Sequence, residues 1–493
     1  MHWAAAMTDA AALLQCEHLS FRYDRKRPPV FTDLSLAVYP GETVLLMGPS
    51  GCGKSSLAYC LAGLYPAYAG TLEGTVLVAG TPITDCPPAM RSRLVSILFQ
   101  NPDNQFCMDR ADHEILFALE NINYPGDLRQ RTAELLDLVG LRDVAEKPIY
   151  TLSGGTKQKL ALATALATGA KLLILDEPFA NLDPDSCAQV AACLQKLNQQ
   201  GLTILVVDHR PEYWQPFLSR VILMDRDGTL LAKSILPGEM LSHREEFSRR
   251  GLFLDDSWLR SHHPPQICAD APAAMTVRDL ALYHDKKLFL SGLSFTLPKG
   301  SVTALVGRNG SGKSTLLHAL AGVGRYKGTL QAQGRIGLVF QNPRFQFLTL
   351  TVLEEVTATL RVIHPKESEE WLADKARSLL EEFSMLEYAS VSPYSLSQGQ
   401  QRRLAILSML AGDRPILLLD EPTYAQDERA TQFILNLLDK RVSQGLTAVI
   451  ATHDLALAQS CANQTLLLED GVLRALNQDE LNTYVQERSP AHA

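Results

Sequence analysis

The chain has 493 residues, 46% hydrophobic and 20% charged, with a formal net charge of −8. That length asks for at least two domains, each able to bury a full core, and the acidic balance gives no general attraction to nucleic acid. No apolar run reaches the ~18–20 residues of a bilayer span. Nine scattered cysteines with no C-x-x-C pair indicate neither a disulfide framework nor a zinc site, which fits a reducing cytoplasm. The stretch from Met1 to Met7 lacks a basic region and a long apolar region, so no secretion signal is expected, and Met7 serves as well as Met1 for a start.

In chain order, Leu19 to Tyr23 alternates like a strand, and a polar basic turn follows from Asp24 to Pro29. Thr43 to Met47 is a short apolar run, expected as a buried strand. Next come Gly48, Pro49, Ser50, Gly51, Cys52, Gly53, Lys54, Ser55 and Ser56, which fit G-x-x-x-x-G-K-[ST]. The apolar residues from Ser56 to Leu64 then recur at helical spacing. Glycines let backbone N–H groups curl round a phosphate. Lys54 adds a point charge for the outer phosphates, and Ser55 offers a hydroxyl to Mg²⁺. Cys52 reads as a small filler that would confer sensitivity to thiol reagents.

Residues 70–98 are β-type with turns, expected as a small antiparallel layer. Gln100 ends a strand before an Asn-Pro turn, where its amide can reach Mg²⁺ or water. Residues 112–147 read as helices. Ser153, Gly154 and Gly155 open a long helix, and its N–H groups and dipole make an anion site. The buried strand from Leu172 to Leu175 ends in Asp176 and Glu177. Asp176 can reach Mg²⁺, and Glu177 can polarise an attacking water. His209 follows the apolar strand from Leu202 to Val207.

The set then recurs. A second loop comprises Gly307, Arg308, Asn309, Gly310, Ser311, Gly312, Lys313, Ser314 and Thr315. Gln341, then Ser397, Gln398 and Gly399, then Asp420 and Glu421, then His453 follow in the same order. The lysines stand 259 positions apart (313 − 54), the glutamines 241 (341 − 100) and the histidines 244 (453 − 209). The chain is two copies of one α/β domain, the second shortened between its loop and its glutamine. The expected boundaries are 14–230 and 273–475, with a joining segment at 231–272 (a short helix, then an irregular tether) and a tail at 476–493. The His262-His263 pair in the joining segment lacks a third ligand.

Together these motifs resemble the ATP-binding-cassette (ABC) ATPase family over nearly the whole chain. The resemblance implies two P-loop NTPase domains in tandem. Each would have a mostly parallel core sheet, a small antiparallel β layer and a helical signature subdomain. It also implies two ATP·Mg²⁺ sites between head-to-tail copies. One would join Lys54, Ser55, Gln100, Asp176, Glu177 and His209 to Ser397, Gln398 and Gly399. The other would join Lys313, Ser314, Gln341, Asp420, Glu421 and His453 to Ser153, Gly154 and Gly155. Ser55, Asp176 and Gln100, and Ser314, Asp420 and Gln341, would hold the metal. Asp183 and Asp427 would lie in loops crossing the seam. Tyr23 would stack on adenine, and the matching position in copy two is His284, beside Tyr283.

The first signature departs from the family by ending in Thr156, the second by carrying Gln398 in place of glycine, and Tyr424 to Asp427 departs at the second seam loop. Two competent but unequal sites are expected. The segment from Gln100 to Phe106 resembles that of energy-coupling-factor (ECF) importers, which take up vitamins or transition metals. In these, two cassettes work with an integral membrane scaffold and a substrate-binding membrane subunit. Asp103 would face a scaffold arginine, with Arg344 in its place in copy two. The chain would then sit at the cytoplasmic face of the cell membrane. The alternatives are the ATPase of a binding-protein-dependent sugar importer, and a soluble non-transport protein acting on ribosomes.

Overall fold

The structure, a computed structural model, describes residues 11–26, 28–179, 182–231, 234–252, 254–255, 258–259, 262–267, 270–284, 287–412, 414–423 and 426–487. The chain divides into two compact units, Met1–Asp255 and Asp256–Ala493.

The strands of the first unit are β1 (Leu14–Arg22), β2 (Phe31–Val38), β3 (Thr43–Met47), β4 (Thr71–Val78), β5 (Thr81–Pro82), β6 (Val95–Leu98), β7 (Leu172–Asp176), β8 (Thr203–Val207) and β9 (Arg220–Leu223). Its helices are α1 (Lys54–Leu61), α2 (Pro88–Leu94), α3 (Ala111–Asn121), α4 (Leu128–Leu138), α5 (Gly154–Ala167), α6 (Pro184–Gln199) and α7 (Arg244–Arg250). A five-stranded parallel sheet runs β6-β7-β8-β3-β9, and an antiparallel layer runs β2-β1-β4-β5. Every residue of β3, β7 and β8 is buried. Their unbroken apolar runs suit strands covered on both faces, whereas β1 alternates because it is covered on one. One face of the parallel sheet packs Leu46, Ile174 and Val207 against α1 and the antiparallel layer. The other packs Leu45, Leu175 and Val206 against α6 and Trp214. Ile115, Leu119, Leu135, Leu136 and Leu160 join α3, α4 and α5 into a separate helical core.

The second unit repeats this plan with β10 (Ala273–His284), β11 (Lys287–Pro298), β12 (Val302–Val306), β13 (Tyr326–Ala332), β14 (Ile336–Val339), β15 (Ile416–Asp420), β16 (Thr447–Thr452), β17 (Gln464–Glu469) and β18 (Val472–Leu476). Its helices are α8 (Lys313–Leu320), α9 (Val352–Ile363), α10 (Glu369–Glu382), α11 (Gln398–Leu410), α12 (Glu428–Val442), α13 (Leu455–Cys461) and α14 (Gln478–Glu487). The main sheet runs β14-β15-β16-β12-β17-β18, parallel except for β18, and the small layer runs β11-β10-β13. Among the described residues nothing here corresponds to β5 and α2, which accounts for the shortening.

The joining segment differs from an irregular tether. Ile235, Met240, Phe247 and Leu252 enter the core of the first unit, and Leu259 enters that of the second. Residues 476–493 are not all tail either, because Leu481 of α14 packs with Ala458 of α13. In both places buried apolar side chains replace the expected solvated chain. Among the described residues no helix is long and apolar enough to cross a membrane.

Candidate active site

The carboxyl ends of β3, β7 and β8 converge beside the N-terminus of α1. Gly53 caps that helix in the left-handed region (φ 106), where an added Cβ would stand 2.6 Å from Val30. Lys54 Nζ turns back to donate to the carbonyls of Gly48 (2.7 Å) and Pro49 (2.9 Å), closing the loop round its own ammonium. Ser55 Oγ donates to Asp176 Oδ1 (3.0 Å), and Tyr59 OH donates to Asp176 Oδ2 (3.2 Å). Burial, then the charge of Glu177, pushes the Asp176 carboxyl up to about 7.

Glu177 has φ 48 and donates its N–H to Val207 O at 2.8 Å. A non-glycine residue rarely adopts that conformation, and its recurrence at Glu421 (φ 49) marks both positions as strained in the same way. Gln100 Nε2 donates to Glu177 Oε2 (2.6 Å), and His209 Nε2 lies 3.2 Å from Oε1. Burial raises this carboxyl, but the His209 bond and charge, Lys54 and Gln100 together hold it below its ordinary value.

The second unit assembles the same groups apart from Gln341, which is exposed and does not take the place Gln100 has beside Glu177. Lys313 Nζ donates to the carbonyls of Gly307 (2.7 Å) and Arg308 (3.1 Å), behind a left-handed Gly312 (φ 107). His453 Nδ1 lies 2.9 Å from Glu421 Oε1, and Thr452 Oγ1 donates to Oε2 (3.2 Å). Burial raises the Asp420 carboxyl, and its Oδ1 is buried without a hydrogen-bond partner. An orphaned buried carboxylate oxygen beside a loop lysine and Ser314 fits a divalent cation.

The glycine-rich segments open α5 and α11. Ser153 accepts from Thr156 N and touches the Thr156 hydroxyl at 2.8 Å. In α11, Ser397 caps Gln400 N while the Gln400 side chain accepts from Ser397 N, a complete capping box. The threonine in place of glutamine thus costs one reciprocal bond. Asp183 and Asp427 cap α6 and α12. Tyr23 is about half exposed and its OH meets Ser56 Oγ at 2.8 Å. Cys52 is buried and its thiol is raised by burial, so it stands as filler, not as a reactive thiol. His262 Nε2 lies 3.2 Å from Asp439 Oδ2. The side chain of His284, and Tyr424 and Ala425, lie outside the described residues, as does Met1 to Met7.

The sequence profile described as ABC transporter matches residues 31–180 and 290–424. The chain belongs to the ABC transporter family. It carries two fused cassettes. A relative from Bacillus subtilis named "Putative HMP/thiamine import ATP-binding protein YkoD" is 36% identical, with 93% of this chain and 90% of the relative covered. A Bacillus cereus protein named "Putative ABC transporter ATP-binding protein" is 30% identical over 94% of this chain and 90% of its own length. Among solved structures, one titled "RNase-L Inhibitor" matches with a TM-score of 0.63 over 96% of this chain and 93% of that one. At 20% identity this last likeness speaks to the tandem-cassette fold alone.

Several residues of the two cassettes escaped the sequence reading. Gln105 Nε2 donates to Ala161 O (3.1 Å) and Gln346 Nε2 to Ala405 O (2.9 Å), bracing each glutamine loop on its signature helix. The buried Glu114 carboxylate accepts from Cys107 N and Met108 N, and Glu355 accepts likewise from Leu348 N and Thr349 N. Both pairs recur at the glutamine offset of 241 (346 − 105 and 355 − 114), which is the signal that finds them. Asp103, expected to await a partner's arginine, receives Lys157 Nζ at 2.7 Å within its own cassette. In the second cassette Arg344 Nε donates to Gln401 Oε1 (3.3 Å) at the matching positions. The outer faces of the two loops differ. Phe345, Leu348 and Leu350 are 78%, 89% and 83% exposed, where the first cassette presents Asn104, Cys107 and Asp109.

Proposed function

We propose that this chain is the energy-coupling ATPase of an importer of the ECF type. The observation that carries the reading is the pair of glutamine loops. They share one frame, braced by Gln105 and Gln346, but present a polar face in one cassette and an apolar face in the other. Three large exposed apolar side chains on one short loop suit contact with another protein. The difference suits a scaffold whose two docking helices are unlike each other. The name of the Bacillus subtilis relative supports import and a vitamin-related cargo.

In this reading ATP is hydrolysed at two composite sites. Lys54 and Lys313 meet the outer phosphates, while Glu177 and Glu421 polarise the attacking water under the hold of His209 and His453. Ser397, Gln398 and Gly399 complete the first site, and Ser153, Gly154 and Gly155 the second. Tyr23 faces the adenine of the first. Mg²⁺, held by Ser55, Asp176 and Gln100, or by Ser314, Asp420 and Gln341, supplies neutralisation of phosphate charge. ATP closes the cassettes through its preference for the closed pair. Passing from 1:99 to 99:1 takes about 5.5 kcal/mol, which two bridging nucleotides can supply. The chain binds no cargo itself and sits peripherally at the cytoplasmic face of the cell membrane.

Purification from membranes tests this. A multi-span scaffold, a second membrane subunit and a small molecule should accompany the chain, and ATP hydrolysis should rise in the complex. A soluble periplasmic binding protein as the cargo-bearing component would favour the sugar-importer reading instead.

A further inference from the structure

Glu177 and Glu421 occupy equivalent positions, since Asp176 pairs with Val207 as Asp420 pairs with Ala451. Each has a histidine on Oε1, His209 Nε2 at 3.2 Å and His453 Nδ1 at 2.9 Å. The second oxygens are held differently. Glu421 Oε2 accepts from Thr452, the residue just before the histidine, and Gln341 is exposed and is not among its partners. Thr452 Oγ1 in turn accepts from Asp454 N (3.0 Å), which leaves its O–H free to point at the carboxylate.

The first cassette has Asp208 at this place. Asp208 spends its carboxyl oxygens elsewhere and makes no bond to Glu177. It is buried, accepts Trp214 Nε1 (3.0 Å) on Oδ2, and accepts His209 N (2.7 Å) and Arg210 N (3.2 Å) on Oδ1. Glu177 Oε2 is held by Gln100 Nε2 instead.

We infer that Thr452 is a positioning residue for Glu421, and that Gln100 takes this task for Glu177. The base of cassette one is thus tied to its glutamine loop and is released when that loop moves. The base of cassette two is tied to the end of β16 and does not follow its glutamine loop. This rests on the proposed roles of the two glutamates in hydrolysis.

The test uses the full chain, with ATP binding measured separately from turnover. Thr452→Val should lower kcat roughly tenfold while KM and ATP binding stay within about twofold, and Thr452→Ser should restore most of the loss. The loss is read in the Glu177→Gln chain if that chain retains hydrolysis, and otherwise in the unsubstituted chain, whose sites then fire together. In a Gln100→Ala chain, Asp208→Thr should recover part of the lost kcat by returning a hydroxyl to that position. An undiminished kcat in Thr452→Val, or a loss shared by ATP binding and not repaired by serine, overturns the inference. If the unsubstituted chain binds ATP but never hydrolyses it, the functional reading itself falls, a result seen before any variant is made.

Discussion

Ser55 Oγ donates to Asp176 Oδ1 at 3.0 Å, joining the phosphate loop to the end of β7. Tyr59 takes the other oxygen of Asp176, so both lone-pair faces are met by neutral donors. In the proposed function, that is the resting arrangement of a carboxylate whose positive partner arrives with the nucleotide.

The arrangement has a pH signature. Burial holds Asp176 at about 7, above the usual carboxylate value. Between roughly pH 4 and 7 the folded chain keeps a proton that the unfolded chain has lost. The stability this confers is therefore present at the acid end and lost as pH rises through 7. In magnesium- and nucleotide-free buffer, Asp176→Asn should stabilise the first cassette at pH 8 by about 2–4 kcal/mol and so raise its unfolding midpoint. The difference should shrink toward pH 5. Thermal unfolding across that range checks it, and an Asp176→Asn chain destabilised equally at both ends would contradict it.

Removing the proposed general base should separate binding from turnover. Glu177→Gln keeps the volume and the contacts to Gln100 and His209 within reach but cannot take a proton. Hydrolysis at that site should fall by roughly 10²–10⁴ while ATP binding persists. Phosphate release alongside nucleotide retention measures both. Wild-type turnover would remove Glu177 from its role.

A bulge repeated in the two antiparallel layers predicts a stability effect away from the sites. The register of β1 slips opposite Gly74 (φ 92), and that of β10 slips opposite Gly328 (φ 111). A Cβ at either would stand 2.5 Å from a backbone carbonyl, that of His18 or Asp279. Gly74→Ala and Gly328→Ala should each destabilise their own unit by about 1–3 kcal/mol. Limited proteolysis, unit by unit, reads this out.

The composite-site proposal makes a crossed prediction. Replacing Ser397 with a bulky residue should impair hydrolysis at the nucleotide of Lys54 and leave that of Lys313 largely intact. Single-turnover measurements with each lysine separately replaced distinguish the sites. Loss confined to the Lys313 site would mean that each cassette works alone.

The candidate site was legible because its groups come as short contiguous segments, each at a strand end or helix start whose apolar pattern is strong. The loop at Gly48, the Asp176-Glu177 pair and the repeat of both needed no long-range information. Thr452 and Trp214 were missed because their roles depend on packing between elements: Thr452 bonds a carboxylate 31 positions away, and Trp214 matters through Asp208. Glu177's tie to Gln100 spans 77 positions. The joining segment read as a tether because Ile235, Met240, Phe247 and Leu252 follow neither helical nor strand spacing. They meet only in the folded core, packed with Val190 and Leu194 of α6 and with Val221 and Leu223 of β9.

In the proposed function this tandem ATPase drives membrane partners. Its most direct test is ATP hydrolysis by the chain purified with whatever membrane proteins accompany it, compared with the chain alone. A multi-span scaffold should be present in the complex and raise hydrolysis several-fold, with the rise lost on replacing Phe345, Leu348 and Leu350 by polar residues. A chain that sediments with ribosomes, brings no membrane protein and hydrolyses ATP at the same rate in either preparation would contradict it.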